Sequence, residues 1–148
     1  MPFTPFHLGP ALLFGLTFFA ILDLPTFLIA NVLPDVEPFF VMFFGVSWYP
    51  LHGFFHSYLG ASILAILLTI IICPFRGLLN KIMEIFRVLQ KFSFKKILLA
   101  SFVGVYLHVF LDSFLYGEMM PFYPLQGNPF VYVLAAFGRY SVIYGFCG

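Results

Sequence analysis

Charge is what this sequence has least of. Lys, Arg, Asp and Glu supply 9% of its 148 residues, against 62% hydrophobic residues, 23 of them Phe. A soluble domain of this length cannot hide so much apolar surface, so lipid is the expected solvent and residues 1–148 read as one integral membrane domain. A formal net charge of +1 gives no basic surface, so no nucleic-acid partner is expected. Cysteine is scarce too: Cys73 and Cys147 fit no zinc-finger or redox spacing. The first base is Arg76, so a positive n-region is missing and a cleavable secretory signal is not expected. Neither a tandem repeat nor a low-complexity tract stands out from the general Phe and Leu bias.

What is present is a series of apolar runs. Residues 9–22 and 24–33 are short for a full span and flank Asp23, which suggests a tight hairpin. Residues 39–50 are apolar and aromatic, 57–72 and 97–117 are clear spans, 118–128 form a Pro/Gly/Asn loop, and 129–146 are a last apolar segment. Backbone groups in lipid must bond within their own segment, so helices are the expected element. The predicted class is all-α: a polytopic helical membrane protein of about four to five membrane segments. Six of the seven basic residues fall in residues 76–96, which makes that loop cytoplasmic in a multi-pass cell-membrane protein. Within it, Leu78, Leu79, Ile82, Ile85, Phe86 and Leu89 lie at helical spacing among bases, predicting an amphipathic helix on the cytoplasmic surface. Trp48, Tyr49, Tyr58, Tyr116 and Tyr123 read as interfacial aromatics.

Topology places the polar residues in depth. The span from residue 57 runs outside to inside, so His56 sits near the outer face. The span from residue 97 returns, carrying His108 and Asp112 about 17 to 23 Å toward the same face. His7 precedes the Asp23 turn and Asp35 follows it at distances that differ by only about 6 Å of helix rise. With Asp23 inside, His7, Asp35 and Glu37 return to the outer level. All four histidines, His7, His52, His56 and His108, can therefore reach one layer with Asp35, Glu37 and Asp112, and Glu118 lies just beyond. Imidazole and carboxylate are the ordinary ligands of zinc and related divalent ions. His52 with His56, and His108 with Asp112, have the four-residue spacing of one helix face, and two such pairs across a bundle offer ligands for one or two ions. Each piece also has a plainer meaning. The first pair could be interfacial, the second an intrahelical hydrogen bond, Asp35 a turn or cap residue, His7 a first-turn residue, and Glu37 a solvated charge.

The order of motifs resembles the YdjM-like membrane-bound metal-dependent hydrolases. The resemblance covers residues 4 to 125 and rests on His7, on Pro34-Asp35-Val36-Glu37, on Gly53-Phe54-Phe55-His56-Ser57, and on His108-Val109-Phe110-Leu111-Asp112 with Gly117. Its polar pattern is similar to that of zinc-dependent phospholipase C and the single-strand nucleases of that helical class. There are departures. Leu51 stands where the family often has a first His, His52 falls on an Arg position, Pro38 replaces a His, and Leu115 replaces a Thr. What the resemblance implies is a divalent metal, zinc above all, held by His56, His108, Asp112 and Asp35. His7 would serve the same or a neighbouring ion, and His52 a second site or the surroundings of the first. Glu37 is the expected general base, provided Pro34 or Pro38 breaks the helix. Membrane lipids surround such a site, and a lipid or phosphoester is the expected substrate. Two other classes remain: a metal or proton transporter, and a structural protein whose polar layer locks helices together. Against transport, residues 59 to 72 hold no ionisable group that would continue a path inward.

Overall fold

A computed structural model describes residues 5–131 and Val133. The final apolar segment expected over residues 129–146, with Arg139 and Cys147, lies almost wholly outside the described residues. Among those described, all regular structure is helical: α1 Pro5–Thr17, α2 Leu24–Ala30, a 3₁₀ turn Leu33–Asp35, α3 Val36–Phe43, a second 3₁₀ turn Phe54–His56, α4 Tyr58–Ile85 and α5 Phe94–Ser113.

Three stretches are long and apolar enough to cross a bilayer: Leu24–Phe43, Tyr58–Ile85 and Phe94–Ser113, with mean hydropathy of 1.4, 2.3 and 1.6. The chain is thus an integral membrane protein, with the shorter apolar α1 beside these three. The expected pieces 24–33 and 39–50 join, through the 3₁₀ turn, into one broken span. Pro34 starts that break, because proline removes a backbone donor and restricts the residue before it.

Helix α4 differs from expectation at its far end. The basic stretch from residue 78 does not form a separate surface helix; it continues α4 to Ile85, where Phe86 caps the helix. Pro74 sits inside α4 without ending it. A helix of 28 residues is about 42 Å long, more than the roughly 30 Å hydrocarbon layer, so its basic end projects beyond the lipid core.

The core lies where α4 and α5 pack, with α2 laid against α5. Ala61, Ala65, Leu68, Ile72, Ile97, Val105 and Val109 fill it. Small residues allow close approach, as lipid-embedded helices require. Gly104 shows why: a Cβ there would lie 2.5 Å from Ala30 Cβ and 2.9 Å from Phe27 O. The opposite face of α4, including Leu59, Ile63, Ile66 and Ile70, is exposed, as a lipid-facing surface should be.

One end of the bundle is pinned by a polar cluster. Asp23 caps α2, its carboxylate accepting from Thr26 N–H at 3.3 Å and the Thr26 hydroxyl at 2.5 Å. The other oxygen accepts from Arg76 Nε at 2.7 Å, and both residues are fully buried. Arg76 also donates to Asn80 at 2.6 Å and lies 5.2 Å from the Phe92 ring centre. Gln90 closes the end by donating to the carbonyls of Phe19 and Leu22 while accepting from Leu24 N–H. Asp23 and Arg76 therefore share one end of the bundle. Arg76, counted among the interfacial bases from sequence, is a buried partner instead.

Candidate metal centre

The other end gathers the histidines. His56 closes the 3₁₀ turn before α4, and His108 and Asp112 occupy successive turns of α5. Asp35 ends the first 3₁₀ turn, and His7 lies in the first turn of α1. His7, His56, His108 and Asp112 are buried to within 2% exposure.

Both central imidazoles have fixed tautomers. His108 Nδ1 lies 2.7 Å from the carbonyl of Asn31, which can only accept, so Nδ1 carries the proton. His56 Nδ1 lies 2.8 Å from Glu37 Oε2 and donates to that carboxylate. With Nδ1 engaged in each ring, Nε2 is the atom that points into the site, and the two Nε2 atoms face each other across 3.4 Å. Carboxylates complete the group. Asp112 Oδ2 is 3.2 Å from His108 Nε2 and 3.8 Å from His56 Nε2, and Asp35 Oδ1 is 3.7 Å from His108 Nε2. Burial pushes the His56 pKa below the usual imidazole range, against the opposing Glu37 hydrogen bond, which keeps the ring neutral.

This buried group is rich in acceptors, and either a proton on His108 Nε2, 3.2 Å from Asp112 Oδ2, or a bound cation balances it. The spacing suits a cation. Donors bound about 2.05 Å from a tetrahedral zinc lie about 3.3 Å apart. The 3.4 and 3.2 Å separations match that edge, those of 3.7 and 3.8 Å exceed it, and all four donor atoms of Asp35, His56, His108 and Asp112 lie within 4.8 Å of one another. Asp35 does not cap α3 with its side chain, and its buried Oδ2 has no hydrogen-bond partner. The turn-residue reading therefore leaves its carboxylate unexplained, whereas the ligand reading uses it.

The surrounding contacts hold these donors in place. Glu37 accepts from His56, from the Tyr49 hydroxyl at 2.7 Å, and from the backbone N–H groups of Gly53 and Phe55 at 3.1 and 3.2 Å. Tyr49 in turn accepts from Phe54 N–H at 2.8 Å. Burial raises the Tyr49 pKa, so its hydroxyl stays a donor. Gly53 is needed because a Cβ there would run into the Tyr49 ring. On the other side, Asn31 donates to Gly104 O at 3.1 Å, which sets its own carbonyl against His108.

His7 reaches the site but not the central group. Its Nε2 lies 3.2 Å from Asp112 Oδ1, the oxygen turned away from His108, and its ring centre is 4.2 Å from that of His108. His52 is further out. Helix α4 begins only at Tyr58, so His52 and His56 share no helix face; their rings meet edge to face at 4.8 Å. His52 instead bonds Glu118 at 3.0 Å and stacks on Tyr116 at 3.7 Å. Sequence reasoning missed Asn31 and assigned Tyr49 to the interface alone. Neither bears a metal-ligand signature, since each acts through a neighbour.

A family model described as YdjM inner membrane protein matches residues 4–146. No curated protein and no solved structure matches the chain significantly.

Proposed function

This chain belongs to the YdjM inner membrane protein family, and on that premise we propose that it is a membrane-embedded, metal-dependent hydrolase acting on a phosphoester or lipid-like substrate near the outer face. The observation that carries the reading is the convergence of His56 Nε2, His108 Nε2 and the Asp35 and Asp112 carboxylates within 4.8 Å, each ring oriented by an acceptor at its Nδ1. His56, His108, Asp112 and Asp35 would hold a divalent ion, and this mixed nitrogen and oxygen donor set suits zinc. When bound, such an ion acts as a Lewis acid on an ester oxygen and activates water near neutral pH.

The chain's own residues divide the remaining work. Glu37, expected as the general base, has both oxygens committed to donors, so we assign it to positioning His56. The carboxylate available to accept a proton is Asp35, through the unpartnered Oδ2. Asp35 is also the most exposed member of the group, with a side chain 17% accessible, so substrate and water approach from its side. His7 Nε2 lies 3.2 Å from the far oxygen of Asp112, where a protonated ring would pair with that carboxylate.

The transport reading gains no support from the polar groups of α4. Thr69 and Ser62 return their hydroxyls to the helix backbone and pair with Ser101 and Tyr106. The test is hydrolysis of a panel of phosphomonoesters, phosphodiesters and short-chain phospholipids by purified, zinc-loaded protein. We expect turnover that a chelator abolishes and that His108→Ala lacks. Zinc bound at stoichiometry, with no turnover across the panel, would argue against the hydrolase.

A further inference from the structure

Beside the metal centre lies a cavity of about 260 Å³ whose lining includes Tyr49, His52, Phe54, Glu118, Met120 and Tyr123. It adjoins the centre across His52, which lines the cavity and packs against the His56 ring. Its size is below the roughly 300 Å³ at which pockets begin to enclose drug-sized ligands, so it suits a headgroup with the acyl chains left outside.

The chemistry of the wall is selective. Among the described residues no Lys or Arg lines it, and the charged group there is Glu118, which meets His52 Nδ1 at 3.0 Å through Oε1 and whose side chain is 46% accessible. Three aromatic residues, Tyr49, Phe54 and Tyr123, line the same cavity as that carboxylate, with Phe54 and Tyr123 edge to face at 5.7 Å. Aromatic faces beside a carboxylate attract an organic cation and give nothing to an anion. The neighbouring site has the opposite demand, since its ion would draw a phosphate.

We propose that this cavity binds the ammonium headgroup of a zwitterionic phosphodiester lipid, with the headgroup nitrogen against Glu118 and the aromatic rings and the phosphate toward the His56 side. The proposal rests on the hydrolase reading only for the direction in which the phosphate points. An ammonium group here is matched twice, by the charge of the carboxylate and by the rings, whereas a glycerol headgroup offers only neutral hydroxyl donors to the carboxylate.

The experiment is calorimetric binding of short-chain phosphatidylethanolamine and short-chain phosphatidylglycerol to the full chain in detergent, with chelator present so that neither is consumed. We expect the ethanolamine lipid to bind about tenfold tighter, which corresponds to about 1.4 kcal/mol. Glu118→Gln should remove that preference and leave the glycerol lipid unchanged; Tyr123→Leu should reduce it in part. Equal affinities in the wild type, or a preference that survives Glu118→Gln, would overturn the proposal. Free phosphoethanolamine binding as tightly as the lipid would overturn the lipid assignment in favour of a soluble ligand. Turnover of the two lipids by zinc-loaded protein is measured separately. A headgroup preference without turnover would uphold the pocket and count against the hydrolase, and turnover without preference would do the reverse.

Discussion

At the scale of single residues, the buried charged side chains among the described residues fall in two groups, Asp23 with Arg76 and Glu37 with Asp112 and the histidines. The ligand candidates were legible in the sequence because His and Asp are rare here and their spacings put them at one depth. Their supports were not legible. Glu37 and His56 are nineteen positions apart, Asn31 and His108 seventy-seven, and Asp23 and Arg76 fifty-three. Such pairings obey no helical period, so only tertiary packing reveals them. Two predictions belong to this scale. Glu37→Gln should fold normally but bind zinc roughly 10- to 100-fold more weakly, because His56 loses its charged anchor; unchanged affinity in a chelator competition would remove Glu37 from the positioning role. Arg76→Ala should cost about 3 to 5 kcal/mol in detergent-unfolding stability by leaving Asp23 buried without its partner. It should keep its metal content, because Arg76 lies roughly 27 Å along α4 from the histidine end. Metal loss without loss of stability would contradict that separation.

At the scale of elements, the geometry depends on how closely α2 approaches α5. Gly104 permits the contact, Asn31 bridges it, and the Asn31 carbonyl fixes the His108 tautomer. A glycine inside an apolar helix carried no such message in the sequence, where it read as one more small residue. Gly104→Ala should cost about 1 to 3 kcal/mol, since the added methyl meets backbone that cannot yield cheaply. Gly104→Leu should lose metal binding together with stability. A Gly104→Leu protein that binds zinc as tightly as wild type would show that His108 does not need this support. The basic end of α4 teaches a related lesson. The jump in charge at Arg76 suggested a boundary, but Leu, Lys, Met and Glu are good helix formers and the helix continues to Ile85.

At the scale of the whole molecule, the hairpin at Asp23 accounts for the one-sided layout. Helix α1 leads away from the histidine end, the turn is clamped to Arg76 and Gln90, and the broken span Leu24–Phe43 leads back. Two helical passages, 57–72 and 97–117, were plain from hydropathy; the joining of two short apolar pieces into a third span through a 3₁₀ turn was not, because Pro34 disguises continuity as a break. The basic loop predicts which end faces the cytoplasm. A single cysteine placed at Leu125, in a chain freed of Cys73 and Cys147, should react with an impermeant maleimide from the outside of intact cells, and one placed at Lys91 should not. Labelling of Lys91 in place of Leu125 would invert the topology.

The central claim is that the facing imidazoles and their carboxylates hold a metal ion, and elemental analysis of detergent-purified protein tests it most directly. The wild type should carry about one zinc per chain, the content expected of a single four-donor site, and His56→Ala and Asp112→Ala should each lose it while remaining folded. A well-folded wild type with no metal, even after incubation with zinc or manganese, would contradict the account and leave the polar layer as a device for holding helices together.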